Sequence, residues 1–173
     1  MSDLHALSFL AIPPDILAAL DYRFFRFALQ PVHHLVRMAH ILSISLFFGT
    51  IGLLDLRLTG LRPAVSLKSL ADAVMPLIYV NLLIGIVTGL MLFFYDPVHV
   101  GSHAYFSLKM ILIVAGMGNA AVFNRTGFAE ALRATGPMPR AARIFGAVSL
   151  AIWFGVMICA SLNGEAAPKV LLR

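Results

Sequence analysis

The chain has 173 residues, of which 60% are hydrophobic and 12% are charged. Soluble domains are about half apolar and about a quarter charged, so the composition excludes an ordinary soluble domain. The net charge of +5 does not indicate a nucleic-acid partner, because the basic residues lie in loops between apolar stretches, where they set membrane topology. We therefore expect a lipid bilayer around most of the chain.

The N-terminal segment, residues 1–31, precedes the first long apolar stretch. Pro13 to Leu29 is predicted to form one short helix, and its prolines suit a first helical turn. Phe24, Phe25 and Phe27 interleave with two arginines, a pattern typical of a helix that lies in the membrane interface. A segment that docks on a partner is the alternative.

Four apolar stretches follow, each close to the roughly 20 residues that a spanning helix needs. The predicted spans cover residues 33–54, 73–95, 104–124 and 143–163. They predict one membrane domain over 1–173, an all-α integral membrane four-helix bundle with an interfacial N-terminal helix. Gly85 and Gly89 in the second span form a small-xxx-small pattern that permits close helix approach.

The loop charges predict an orientation. Seven basic residues lie in the loops after spans one and three, namely Arg57, Arg62, Lys68, Arg125, Arg133, Arg140 and Arg143. The loop after span two has none. The positive-inside rule places the basic loops in the cytoplasm and both termini in the periplasm of a bacterial inner membrane. Asp55 and Arg57 are expected to snorkel or pair at the cytoplasmic surface.

In this topology none of the six histidines is cytoplasmic, and His40 is the one well inside a span. His40 precedes Asp55 by 15 residues and Lys109 precedes Arg125 by 16, so both lie roughly 22–24 Å from the cytoplasmic boundary. Thr88 is expected at the same depth. Imidazole is a good iron ligand, so His40 is the candidate axial ligand of a haem b near the outer face.

The other residues that could hold the haem are predicted near the same depth in the membrane. His99 or His103 is the candidate second axial ligand, and Arg37 and Lys109 are candidates to meet the haem propionates. The alternative for His40 is a structural histidine that bonds Asn119 or a backbone carbonyl.

Copper is a second metal to consider. Imidazoles together with nearby methionine thioethers are suitable ligands for Cu(I). The histidines available for such a site are His33, His34, His99 and His103, and His40 is the further metal-binding candidate. No nucleophile–base constellation and no intramembrane pair of acids is visible. Enzyme activity is left open, and a proton-coupled transporter is disfavoured.

The segments A-H-I-L-S-I-S-L-F-F-G (39–49) and L-D-L-R-L-T-G (54–60) carry a resemblance, as do segments 87–93, 106–110, 118–120 and 149–155. Over residues 32–161 the chain resembles an uncharacterised family of four-span bacterial inner-membrane proteins. Some members have histidine after the last phenylalanine of span three, whereas here Asn124 follows Phe123. The resemblance implies the four-span fold and no activity. Cytochrome b-type and copper-resistance-D-type bundles are similar in architecture only.

Taken together, the sequence predicts a small membrane redox protein or redox-complex subunit that binds haem b for electron transport. Its expected partners are quinone or a periplasmic redox protein, with other membrane subunits or further copies of the chain. A non-catalytic accessory or assembly subunit of a larger membrane complex is the alternative, and a copper-handling membrane protein is a third.

Overall fold

The computed structural model describes residues 11–61 and 64–164, and this part of the chain contains helices and no strand. The helices are α1 (Pro14–Leu20), α2 (Arg23–Leu29), α3 (His33–Leu58), α4 (Leu67–Tyr95), α5 (Pro97–Gly101), α6 (Ala104–Thr126), α7 (Phe128–Arg133) and α8 (Arg140–Gly164). Four of them are long and apolar enough to cross a membrane. The predicted all-α bundle with four membrane helices is therefore confirmed.

The four long helices extend beyond the apolar stretches that predicted them. α3 continues to Leu58 and α4 begins at Leu67, where the Ser66 side chain caps it by accepting a hydrogen bond from Ser69 N. Polar and charged residues can continue a helix. The length of an apolar stretch therefore gives the shortest length of the helix and does not mark where the helix ends. Two short helices, α5 and α7, lie in segments that were expected to be loops.

The long helices pack in the order α4, α3, α8, α6. α3 lies between α4 and α8, and α6 packs on α8. Among the described residues, the backbones of α4 and α6 are farther apart than those of the helix pairs that pack together. One side-chain contact joins them near the α5 connection, where Phe93 stacks on Phe106 with ring centroids 5.1 Å apart. The bundle thus has a gap between α4 and α6.

The ends of the bundle differ in composition. We call the end where α3 begins, α4 ends and α5 lies the histidine end, because His33, His34, His99 and His103 are there. The opposite end, where α3 ends and α8 begins, is the basic end. It includes the loops after α3 and α6.

The N-terminal segment forms two helices instead of the single predicted one. α1 begins at Pro14, one residue after the predicted start, and a 3-10 turn at Gln30–Val32 joins α2 to α3. Leu17 is fully buried against Gly101 of α5, while Phe24 and Phe27 are exposed. Residues 1–10 of the predicted interfacial segment lie outside the described part of the chain.

The expected surface position of Asp55 and Arg57 is wrong. Their residues are 3% and 8% exposed, and they do not pair with each other. Arg57 Nε instead donates a hydrogen bond to the Val65 carbonyl at 2.6 Å. Asp55 is buried because α3 continues beside α8. A Cβ at Gly146 would lie only 3.0 Å from the Asp55 carbonyl oxygen, so the glycine permits this close approach.

Candidate functional site

His40 is the centre of the first candidate site, towards the histidine end of α3. Its Nδ1 lies 3.0 Å from Thr88 Oγ1 on α4. The Thr88 hydroxyl is 2.6 Å from the Ile84 carbonyl and 3.3 Å from the Gly85 carbonyl, so it donates its one proton to the backbone of its own helix. Thr88 must then accept from His40, so Nδ1 carries the proton and Nε2 has a free lone pair. The expected common depth of His40 and Thr88 is confirmed. Of the alternative partners for a structural His40, Asn119 is wrong because it bonds the Phe145 carbonyl, whereas the backbone carbonyl of Gly85 is a hydrogen-bond partner of His40.

Glycines on α4 make room for this arrangement. A Cβ at Gly89 would lie 3.1 Å from His40 Cε1, and one at Gly85 would lie 2.7 Å from Ile44 Cδ1. α3 therefore packs closely against the small-xxx-small face, as the sequence predicted. The glycine at 89 leaves the imidazole in position to reach Thr88.

The two cations predicted for the propionates differ in their surroundings. Lys109 is half-buried on α6, with Nζ 5.2 Å from the centroid of the Phe106 ring. Its charge is within electrostatic range of His40. Arg37 is exposed, one turn before His40 on α3. Lys109 is thus the more buried of the two cations.

The other histidines have neighbours of their own. His33 stacks on Tyr95 with ring centroids 4.1 Å apart, and His34 is exposed. The His99 and His103 rings meet edge to face at 5.9 Å, and His103 Nδ1 lies 3.0 Å from the His99 carbonyl oxygen. The structure therefore brings His99 and His103 together but does not unite the histidines into one ligand set.

No group of three or more His, Cys, Asp or Glu side chains able to hold a metal ion occurs in residues 11–61 and 64–164. A copper site built from the four outer histidines is therefore not assembled within these residues. His40 is the histidine well inside a long helix of the described part of the chain that offers an imidazole to an iron or copper ion from within the bundle.

A second candidate site, absent from the sequence prediction, lies towards the basic end. It is a cavity of about 100 Å³ between the long helices, and Asp55, Asn119 and Ser149 border it. The Ser149 hydroxyl lies beside the Asp55 carboxyl. Asn119 Nδ2 donates across to the Phe145 carbonyl of α8 at 3.2 Å. The bundle thus encloses an acid that the sequence placed at its surface.

A sequence signal for this burial exists. Phe47, Ile51 and Asp55 are spaced by four residues, so they share one face of α3, and Phe47 is 2% exposed. Had the apolar face been followed beyond the end of the apolar stretch, it would have placed Asp55 in the bundle.

Comparisons of the chain with protein-family models, with curated proteins and with solved structures found no match.

Proposed function

We propose that the chain is a small membrane redox protein or redox-complex subunit in which His40 is an axial ligand of haem b. The observation that supports this is the hydrogen-bond chain from His40 through Thr88 to the Ile84 carbonyl. An imidazole that ligates a metal commonly donates its other N–H to a protein acceptor, which fixes the tautomer and the ring. Thr88 is such an acceptor.

The residues fit one side of a haem b. His40 Nε2 would hold the iron, and Lys109 would meet a propionate, with Arg37 as the more exposed second cation. Haem b supplies reversible one-electron transfer at a potential that its ligands and surroundings tune. His99 and His103 contact each other, so a second ligand from His99 or His103 would require that pair to rearrange.

Absorption spectroscopy tests this proposal. Protein purified from cells with ample haem should give a sharp reduced-minus-oxidised band after dithionite. His40→Ala should abolish the band while the protein still inserts and remains helical. His34→Ala is the matched control, because His34 is an exposed histidine on the same helix. A His40→Ala protein with the full band would contradict the proposal.

A non-catalytic accessory subunit is the second candidate, and one observation favours it. Three of the polar groups considered for a cofactor already have a structural neighbour: Thr88 for His40, Tyr95 for His33 and Phe106 for Lys109. Side chains that only hold a bundle together would look the same. A colourless, metal-free preparation that migrates in native gels as part of a larger membrane complex would support this function over the redox one.

We further propose that the basic end faces the cytoplasm of a bacterial inner membrane and that both termini are periplasmic. The support is the charge difference between the loops, since the connection through α5 has no Lys or Arg. A reporter that is active only in the periplasm should be active when fused after Arg173, and a cytoplasmic reporter there should be inactive. The reverse result would overturn the orientation.

A further inference from the structure

We propose that the cavity beside Asp55 binds a small organic cation with an apolar body, such as a protonated alkylamine, which enters from the bilayer between α4 and α6. This site is separate from the His40 site, because it lies towards the opposite end of the bundle. It does not depend on haem binding.

The first argument is that the Asp55 carboxyl group is buried and has no cationic partner in the described part of the chain. The residue is 3% exposed, and its Oδ2 accepts no hydrogen bond within the described part of the chain. The two ion pairs found in that part are Arg26–Asp21 and Lys68–Asp72, so no described cation neutralises Asp55. A buried carboxylate without a positive partner is costly, so the group either takes up a proton or gains a cation, and a bound cation removes the cost while the carboxylate stays ionised.

The second argument is the character of the walls. Aromatic and aliphatic side chains from all four long helices and α7 surround the carboxylate, and the main ones are Ile51, Leu54, Ile78, Phe123, Phe128 and Phe145. Aromatic rings attract organic cations through their faces, and apolar walls favour an alkyl body over a hydrated metal ion. A cavity of about 100 Å³ is somewhat smaller than the 150 Å³ that accommodates benzene, so a ligand of about five heavy atoms fits.

The third argument is access. α4 and α6 barely touch through their backbones, and the cavity lies at this gap. Tyr79 on α4 and Ala120 and Asn124 on α6 border the cavity and are also exposed. They therefore form an opening at the side of the bundle. An amphipathic amine that partitions into the bilayer would meet this opening directly.

Binding measurements on the purified full chain in lipid nanodiscs test the proposal. The probe is isobutylammonium, and isobutanol is the neutral compound of the same shape. Wild-type protein should bind isobutylammonium more tightly than isobutanol. Asp55→Asn should weaken isobutylammonium binding on the order of tenfold, the value of a charge-assisted contact, and leave isobutanol binding unchanged. Asp72→Asn is the control, since Asp72 is an exposed acid on α4.

A second pair of variants keeps the test decisive if Asp55→Asn does not fold. Ala120→Phe narrows the opening and should abolish binding of isobutylammonium. Ala121→Phe adds the same ring to a neighbouring exposed position that does not border the cavity, and it should bind normally. The proposal is overturned if wild-type protein binds neither probe or both equally, if Asp55→Asn binds like wild type, or if the two phenylalanine variants behave alike.

Discussion

The hydrogen bond between His40 Nδ1 and Thr88 Oγ1 joins α3 to α4 over 3.0 Å, between two side chains that are 48 residues apart in the chain. It is a hydrogen bond between side chains of two different long helices, whereas the Lys68–Asp72 pair lies within one helix. Thr88 is itself 8% exposed, so water has little access to replace it as a partner. The pair therefore contributes to stability whether or not His40 also binds a cofactor.

Thr88→Val keeps the shape of the side chain and removes the hydroxyl. We expect the free energy of unfolding to fall by about 1–2 kcal/mol, because the His40 N–H loses its acceptor in a partly buried position. Thr50→Val is the control: the Thr50 hydroxyl donates only to carbonyls of its own helix. Denaturant titrations in detergent, followed by circular dichroism, give both values. Equal losses for the two variants would show that the interhelical bond contributes nothing.

Gly146→Ala should destabilise the contact between α3 and α8. The new Cβ would lie 2.8 Å from Leu58 Cβ and 3.0 Å from the Asp55 carbonyl oxygen, and backbone cannot move aside as a flexible side chain can. We expect a loss of about 1–3 kcal/mol, the usual range for overpacking. Thermal unfolding should show a lowered midpoint.

Gly52→Ala is the matched control for that substitution. Gly52 is also inside a long helix, but a Cβ there would have no atom within 4 Å. Alanine favours helix over glycine by up to about 1 kcal/mol, so Gly52→Ala should be neutral or stabilising. A Gly146→Ala protein as stable as Gly52→Ala would contradict the close approach of α8 to α3.

The sequence predicted the architecture because membrane spans depend on composition over about 20 residues. It also predicted the shared depth of His40 and Thr88, since helical rise converts residue count into distance. It contained a signal for the burial of Asp55, the four-residue spacing from Phe47 and Ile51, but no signal for the helix that covers this end of α3. A charged residue at the end of an apolar stretch can face lipid headgroups or a neighbouring helix, and only the path of α8, allowed by Gly146, decides between them. The neighbours of His33, His99 and His103 likewise depend on side-chain packing that no spacing encodes.

Leu17→Ala should release α1 from the histidine end without affecting the four long helices. Leu17 is fully buried against Gly101, where a Cβ would lie 2.6 Å from Leu17 Cδ2. Removing a buried leucine side chain costs about 2–5 kcal/mol at the contact it fills. Hydrogen exchange should therefore become faster in the α1 amides alone. Ile16→Ala, at a residue that is 53% exposed on the same helix, should leave exchange unchanged. Faster exchange throughout the bundle would instead mean that α1 stabilises the whole fold.

Asn119 and Asn81 are both amides within long helices, yet they should respond oppositely to replacement by leucine. Asn119 Nδ2 donates across to the Phe145 carbonyl of α8, whereas Asn81 Nδ2 donates to the Leu77 carbonyl of its own helix. Interhelical hydrogen bonds in membranes contribute about 0.6 kcal/mol on average and at most about 2. Asn119→Leu should therefore lower the free energy of unfolding by an amount in that range, because α6 loses a polar link to α8. Asn81→Leu removes a polar group that joins no helices, so it should be neutral or stabilising. Denaturant titrations of the two variants under identical detergent conditions decide the matter, and a larger loss for Asn81→Leu would refute the assignment of Asn119 as the link between α6 and α8.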